Sequence, residues 1–121
     1  MTMTIEQIRQ MLNAQVFCGA EHLGRTVKNA CGADLMSDVL MFVKNDCVLL
    51  TGLCNTQVIR TSEMLDVSAI GVVRRKRPAQ VVLGRASGQD MVLLGTDDTL
   101  YTACGKLYAT GLPGTTRKEG A

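Results

Sequence analysis

The stretch CVLLTG, at positions 47–52, decides the fold class of this chain. It is a continuous apolar run that ends in Thr-Gly, which is typical of a strand covered on both faces. Two other runs share this character, AIGVV at 69–73 and MVLLGT at 91–96. Segments with helical spacing separate the three runs. This alternation predicts a parallel sheet with helical crossovers.

The part of the chain before the first run predicts two helices and two short strands. The pattern T-x-x-Q at positions 4–7 is a capping box, and the helix that it opens should stop near Asn13. Residues 15–18 and 26–31 are expected to form strands. Residues 35–43 have apolar side chains at helical spacing, so they predict the second helix.

Short polar side chains mark the expected starts of the helices. Asp34 or Ser37 is predicted to cap the second helix, and Asn55 or Thr56 the third, which should run to about Leu65.

The last third of the chain predicts two further helices and a tail. Pro78 is expected to start a short helical stretch that runs towards Ser87. The run TDDT at 96–99 offers capping side chains for a final helix over residues 100–110. Residues 113–121 are small and polar, and are interpreted as a C-terminal tail after a single domain over residues 1–112.

The charge balance is too small to imply a general binder of polyanions. The 121 residues include 13 basic and 11 acidic ones, for a net charge of +2, so any basic effect must be local. Only 3% of the residues are aromatic, which leaves few side chains for stacking on bases. We therefore expect no nucleic-acid partner.

Cysteine usage and hydropathy predict a cytoplasmic protein. The five cysteines are scattered without a C-x-x-C pair and His22 is the single histidine, so reduced, space-filling thiols are expected, with no metal and no cofactor. No apolar stretch has the length of a membrane span, and the start MTMTIEQIRQ does not resemble a signal peptide. No membrane association is expected.

The parallel topology predicts where a ligand would bind. In open α/β sheets, ligands bind beyond the carboxyl ends of the strands, where helix N-termini present free N–H groups. Hydroxyls, amides and cations that converge there suit a phosphate or a nucleotide. The candidate ligand-binding residues are Thr51, Gly52, Asn55, Arg74, Arg75, Arg77, Thr96, Asp97 and Thr99, joined by Asp34, Ser37 and Asp38 if their strand runs the same way.

Each of these candidates also has an ordinary structural interpretation. Asp, Ser, Thr and Asn at such positions are common helix caps. The cation run RRKR at 74–77 also suits a solvated surface loop. Cys54 lies after a strand and close to a helix start, where a thiolate is favoured, so it is a redox candidate beside the alternative that it fills space.

Known catalytic constellations are missing from the sequence. It contains no G-x-x-x-x-G-K-[ST] phosphate loop, no G-x-G-x-x-G, no G-x-S-x-G elbow and no H-E-x-x-H. His22 sits beside Glu21 in an expected loop and is poor material for acid–base catalysis. No catalytic residue is predicted, and a non-enzymatic role is favoured.

Three segments, ADLMSDVLMF, SEMLDVSAIGVV and ACGKLYATGL, carry a family resemblance. With their intervals, the chain resembles the small standalone DRTGG-domain proteins of bacteria, which are similar to the N-terminal domain of HPr kinase/phosphorylase. The resemblance covers about residues 5–112. It implies a single α/β domain with a mixed, mostly parallel sheet of about five strands and helices on both faces, a homodimer and a regulatory role.

Two loops depart from the family pattern. Arg74-Arg75-Lys76 stands where Thr-Gly-Gly is expected, and Leu53-Cys54-Asn55 where Gly-Asp-Arg is expected. The resemblance therefore does not imply a ligand preference.

Three functions remain open on the sequence alone. The first is a non-catalytic regulatory module that senses a small anionic or nucleotide ligand. The second is an interaction or dimerisation scaffold without a ligand, whose interface lies on residues 35–43 or 56–65 and which docks on an unknown protein partner. The third is a redox switch that works through Cys54.

Overall fold

The three apolar runs are the central strands of a five-stranded sheet. A computed structural model describes residues 2–43, 45–74 and 76–115 of the chain. Along the chain the elements are β1 (Met3–Thr4), α1 (Ile5–Leu12), β2 (Gln15–Cys18), a 3₁₀ turn (Ala20–His22), β3 (Thr26–Val27), β4 (Asn29–Gly32), α2 (Met36–Phe42), β5 (Cys47–Thr51), α3 (Thr56–Met64), β6 (Ala69–Val72), α4 (Gln80–Gly88), β7 (Leu93–Gly95) and α5 (Leu100–Ala109).

The main sheet is mixed and mostly parallel, as expected. Its strand order is β2-β7-β6-β5-β4. The four strands β4 to β7 run parallel to one another, and β2 pairs antiparallel with β7 at one edge. The predicted fold class is confirmed.

Helices cover both faces of this sheet, which explains the continuous apolar runs. Successive side chains of a strand point to opposite faces. Leu49 accordingly packs in the core layer formed with α2, α3 and α4, and Leu50 packs in the layer formed with α1 and α5. Both leucines are buried.

Two of the predicted helix starts are confirmed in atomic detail. The Thr4 hydroxyl accepts a hydrogen bond from the Gln7 N–H (3.1 Å), and the Thr4 N–H donates to the Gln7 side chain (2.9 Å). The first helix ends at Leu12, and Asn13 follows it in the left-handed conformation with φ of 49°. Asn55 caps α3 by accepting from the N–H of Val58 at 3.0 Å.

The expected single strand over residues 26–31 is wrong, because this segment divides between two sheets. Thr26–Val27 pairs antiparallel with Met3–Thr4 in a separate two-stranded sheet, whereas Asn29–Gly32 pairs with β5. Between them, the backbone N–H groups of Lys28 and Asn29 both donate to the carbonyl of Asp46 (2.7 and 3.3 Å). This shared acceptor redirects the chain from one sheet to the other.

The predicted cap of α2 is wrong, whereas the N-cap residue of α5 lies within the predicted run 96–99 but lacks the expected capping hydrogen bond. Leu35 is the N-cap residue of α2 and Thr99 that of α5, and neither side chain bonds to the backbone of its helix. Asp34 instead contacts the loop after β5, and the Thr96 hydroxyl donates to the carbonyl of Leu12 at 2.8 Å. Tertiary partners have replaced the local ones.

The chain after α5 returns to the sheet. Gly114 forms a parallel bridge with Ala30 of the edge strand β4, supported by the Ala30 N–H to the carbonyl of Pro113 (2.9 Å) and the Thr115 N–H to the carbonyl of Ala30 (3.0 Å). The rest of the predicted tail, residues 116–121, lies outside the described residues. In the part of the chain that the structure describes, no helix is both long and apolar enough to cross a membrane.

Candidate functional site

The carboxyl ends of the parallel strands meet along one edge of the sheet, which we call the carboxyl edge. Backbone hydrogen bonds tie the loops that leave the strands to their neighbours. The Val73 N–H donates to the carbonyl of Thr51 (3.0 Å), and the Thr96 N–H donates to that of Val72 (2.9 Å). The loops after β5, β6 and β7 therefore lie together, as the parallel topology predicts.

A carboxylate lies over the backbone at the end of β5. Asp34 Oδ1 accepts from the N–H of Gly52 at 2.6 Å and from the hydroxyl of Thr51 at 3.0 Å. Thr51 is fully buried, while Asp34 remains exposed. An N–H and an O–H that converge on one oxygen form a ready anion-binding pair. In this structure the chain's own carboxylate is the anion that they bind.

Arg74 lies directly beside this pair in an unusual backbone conformation. Its φ of 62° is in the left-handed region, which a side chain as bulky as arginine rarely adopts. Its N–H donates to the carbonyl of Asp98 (2.8 Å), and its Nη2 lies 3.4 Å from the carbonyl oxygen of Gly52. These contacts hold the guanidinium against the end of β5.

Glycine at position 52 leaves room for both charged groups. A Cβ atom there would lie 2.6 Å from Arg74 Nη2 and 3.4 Å from Asp34 Oδ1. Any larger residue would displace the guanidinium, so Gly52 permits the close approach of Arg74 to the strand end.

Two further cations extend the basic surface at this edge. Lys76 and Arg77 are exposed, and the Arg77 guanidinium carbon lies 5.1 Å from the centroid of the Phe17 ring. Within residues 2–43, 45–74 and 76–115, no carboxylate forms an ion pair with Arg74, Lys76 or Arg77. The predicted site residue Arg75 lies outside the described residues.

The other predicted site residues border the edge in different ways. Asp97 and Thr99 are exposed in the loop after β7, and Ser37 and Asp38 are exposed in the first turn of α2. Thr96 is only 3% exposed, and its hydroxyl already donates inwards to the carbonyl of Leu12.

Cys54 does not have the environment of an activated thiol. Its side chain is buried, and this burial raises the pKa of the thiol to about 11. The lowered pKa expected from its position near a helix start is not found, because burial disfavours the charged thiolate.

The opposite end of the sheet holds a cavity that the sequence-based predictions missed. It has a volume of about 430 Å³ and lies beyond the amino ends of the central strands. Three aspartates that line it have left-handed φ values, Asp46 (58°), Asp66 (56°) and Asp90 (56°). The sequence signal was present, since each aspartate lies one to three residues before a predicted strand, but such residues are also ordinary turn formers.

Comparison with known proteins supports the fold. No protein-family model matches the chain, and no curated protein matches it. Among solved structures, it is similar to the CBS and DRTGG domains of the regulatory region of Clostridium perfringens pyrophosphatase, complexed with the activator diadenosine tetraphosphate. The chain has a CBS/DRTGG-like fold.

The similarity extends over nearly the whole of this chain and about half of the other. The TM-score is 0.68 with 17% identical residues, and the match covers 98% of this chain and 52% of the other. The chain thus spans about half the length of the regulatory region that it resembles. The expected DRTGG-like fold is confirmed at this coarser level, while the narrower resemblance to HPr kinase/phosphorylase stays a prediction.

Proposed function

We propose that this chain is a non-catalytic regulatory domain that senses a small anionic ligand, such as a nucleotide, at the carboxyl edge. The observation that carries the proposal is the exposed guanidinium of Arg74 at Gly52, whose N–H is a directed donor, with the exposed cations Lys76 and Arg77 following in the same loop after β6. No described carboxylate pairs with these cations, so a phosphate would find both charge and directed donors at one place.

Asp34 links ligand binding at this site to a conformational change in the domain. Its carboxylate holds the donors of Thr51 and Gly52 in the free protein. A phosphate oxygen that takes these donors would displace Asp34, because two anions cannot share them. Leu35, the N-cap residue of α2, follows Asp34 directly, so displacement would shift the start of that helix. Ligand binding would thereby move a surface that a neighbouring domain can contact.

The similar solved structure is consistent with this role. That protein region is regulatory, and its structure holds the nucleotide activator diadenosine tetraphosphate. The same class of ligand is proposed for this chain because adenine nucleotides carry the phosphate groups that the carboxyl edge suits. The strained φ of Arg74 adds support, since such strain often accompanies binding sites.

Calorimetric titration with ATP and with diadenosine tetraphosphate tests the proposal. The Arg74→Asn/Lys76→Gln variant removes two cations, and asparagine tolerates the left-handed conformation at position 74. We expect its affinity to fall by about tenfold or more, because hydrogen bonds to charged groups contribute about 1.5–3 kcal/mol each. The control Arg60→Gln/Arg85→Gln removes two exposed cations from α3 and α4 and should bind like the original chain. Equal affinity of the two variants would remove the carboxyl edge from any nucleotide site.

A second candidate function is protein interaction through α2. Leu35 is 61% exposed, Leu40 45% and Met41 50%, and all three lie on this short helix or at its start. Exposed apolar side chains of neighbouring residues supply apolar area for an interaction surface. Under this proposal the chain forms a homodimer or docks on a partner. Sedimentation that shows a monomer at micromolar concentration would remove the homodimer, and unchanged behaviour of a Leu40→Ser/Met41→Ser variant would remove this surface.

A further inference from the structure

The cavity at the amino ends of the strands has an acidic wall. Four carboxylates line it, those of Asp46, Glu63, Asp66 and Asp90, against one cation, Arg25. Lys28 pairs with Asp46 at 3.6 Å, and His22 Nε2 lies 3.7 Å from Asp90. Glu63 and Asp66 form no ion pair with any residue that the structure describes. The cavity therefore keeps an excess of negative charge.

The backbone dipoles of two helices add to the negative charge at this cavity. Helices α3 and α4 both end beside the cavity, because each crossover helix finishes before the amino end of the next strand. The C-terminal end of a helix carries partial negative charge, and cationic side chains usually compensate for it. The last turn of α3 has no basic residue and instead contributes Glu63, with Asp66 two residues beyond the helix. A positively charged ligand would relieve this unfavourable arrangement.

A buried hydroxyl at the cavity wall lacks a partner. Ser62 is fully buried on the last turn of α3, lines the cavity, and its Oγ has no hydrogen-bond partner among the described residues. An unsatisfied hydroxyl in the interior is unfavourable, and such groups are rare in native proteins. A ligand that donates a hydrogen bond would satisfy the Ser62 oxygen.

We propose that this cavity binds a small organic cation that carries ammonium groups. An ammonium group has three N–H donors and no acceptor, which matches the unpaired carboxylates of Glu63 and Asp66 and the Ser62 oxygen. A volume of about 430 Å³ exceeds the need of a bare ion and lies in the range of small-molecule pockets.

The positions of the carboxylates favour an extended ligand over a metal ion. Among the described residues, one group of side chains has its potential ligand atoms within 4.8 Å of one another, Glu21, His22 and Asp90. Neither Glu63 nor Asp66 belongs to that group, so one ion could not contact all of the acidic wall. A diamine, whose two charges are several ångströms apart, could contact both ends of it.

Titration with putrescine and spermidine, followed by calorimetry and thermal unfolding, tests the proposal. We expect saturable binding that raises the unfolding temperature, and an affinity at least fivefold lower in Asp66→Asn, since asparagine keeps the left-handed backbone but not the charge. Asp38→Asn removes an exposed carboxylate from α2 and should bind like the original chain. Ser62→Ala should also weaken amine binding while it raises the unfolding temperature of the free protein, a combination that a purely structural serine would not produce.

Three results would overturn the proposal. The first is the absence of binding by either amine at millimolar concentration. The second is binding that Asp66→Asn leaves unchanged, which would indicate counter-ion association at the surface. The third is an equal, Asp66-dependent shift with Mg²⁺ or Zn²⁺, which would assign the cavity to a metal. None of these results tests the proposed anion binding at the carboxyl edge, because Arg74 and Gly52 lie at the other edge of the sheet.

Discussion

The two edges of the sheet differ in charge although the same strands and helices build them. At the carboxyl edge, Arg74, Lys76 and Arg77 lie where helices begin, and helix N-termini carry partial positive charge. At the opposite edge, where the amino ends of the strands meet and which we call the amino edge, Glu63 and Asp66 lie where α3 ends. Each edge thus includes side-chain charges of the same sign as its helix ends, mixed with opposite charges at Asp34, Asp38 and Asp97 on the carboxyl edge and at Arg25 on the other.

Helix α3 makes the contrast clear within one element. Its first turn carries no charged residue, and its last turn has no basic residue but contains Glu63, which opposes the charge placement that stabilises a helix C-terminus. Glu63 at this position costs stability in the free protein, and a cationic ligand at the C-terminal end of α3 would relieve that cost. Under the two proposals above, the carboxyl edge binds an anion and the opposite edge binds a cation.

The largest expected effect is on the stability of the core that supports both edges of the sheet. Ile70 is fully buried in the central strand β6, so Ile70→Ala leaves a cavity in the core on which both edges depend. We expect the free energy of unfolding to fall by about 2–5 kcal/mol. The exposed Val81, at 71% on α4, provides the control, and Val81→Ala should change stability little. Chemical denaturation of both variants measures the difference, and equal stabilities would contradict the described core.

The next largest expected effect is on the reactivity of the Cys54 thiol at the carboxyl edge. Burial raises the pKa of Cys54 from 9.0 to about 11, so at pH 8 its thiolate fraction is roughly 100-fold below that of a free thiol. Alkylation with iodoacetamide, read residue by residue by mass spectrometry, should be slower at Cys54 by about this factor. The raised pKa also means that the neutral thiol stabilises the fold below pH 9. This stabilisation is lost as the pH rises towards 11.

Reaction of Cys54 as fast as a peptide thiol would reopen the redox hypothesis. A Cys54→Ser variant that loses regulation of a partner while it retains its stability would do the same.

The smallest expected effect is a change in ATP affinity when Asp34 at the carboxyl edge is replaced. Asp34→Asn removes the negative charge that competes with a ligand for the donors of Thr51 and Gly52. We expect the affinity for ATP to rise by about three- to tenfold, or about 0.6–1.4 kcal/mol, and the stability to fall slightly. Asp66→Asn, at the opposite edge of the sheet, is the control for a general loss of negative charge. Weaker ATP binding in Asp34→Asn would show that the carboxylate contributes to the site and does not compete with the ligand.

Most of the carboxyl edge was predictable from the sequence because it follows from local signals. The runs at 47–52, 69–73 and 91–96 indicate buried parallel strands, and parallel strands bring their following loops together. The role of Asp34 was not predictable, since its partner Gly52 lies 18 residues away and a helix cap was the simpler local interpretation.

The amino edge escaped prediction for a related reason. Its acidic residues come from turns that are distant in sequence, and each looks like an ordinary turn former when taken alone. The Ser62 hydroxyl lacks a hydrogen-bond partner among the described residues because of how those residues pack around it, so no sequence pattern could indicate this.

The most direct test of two oppositely selective edges is one amide-resolved NMR titration of the ¹⁵N-labelled protein, first with ATP and then with putrescine. We expect ATP to shift the resonances of Gly52 and Arg74, putrescine to shift those of Ser62 and Asp66, and each ligand to leave the other set in place. Both ligands shifting the same resonances, or neither shifting any, would contradict this expectation.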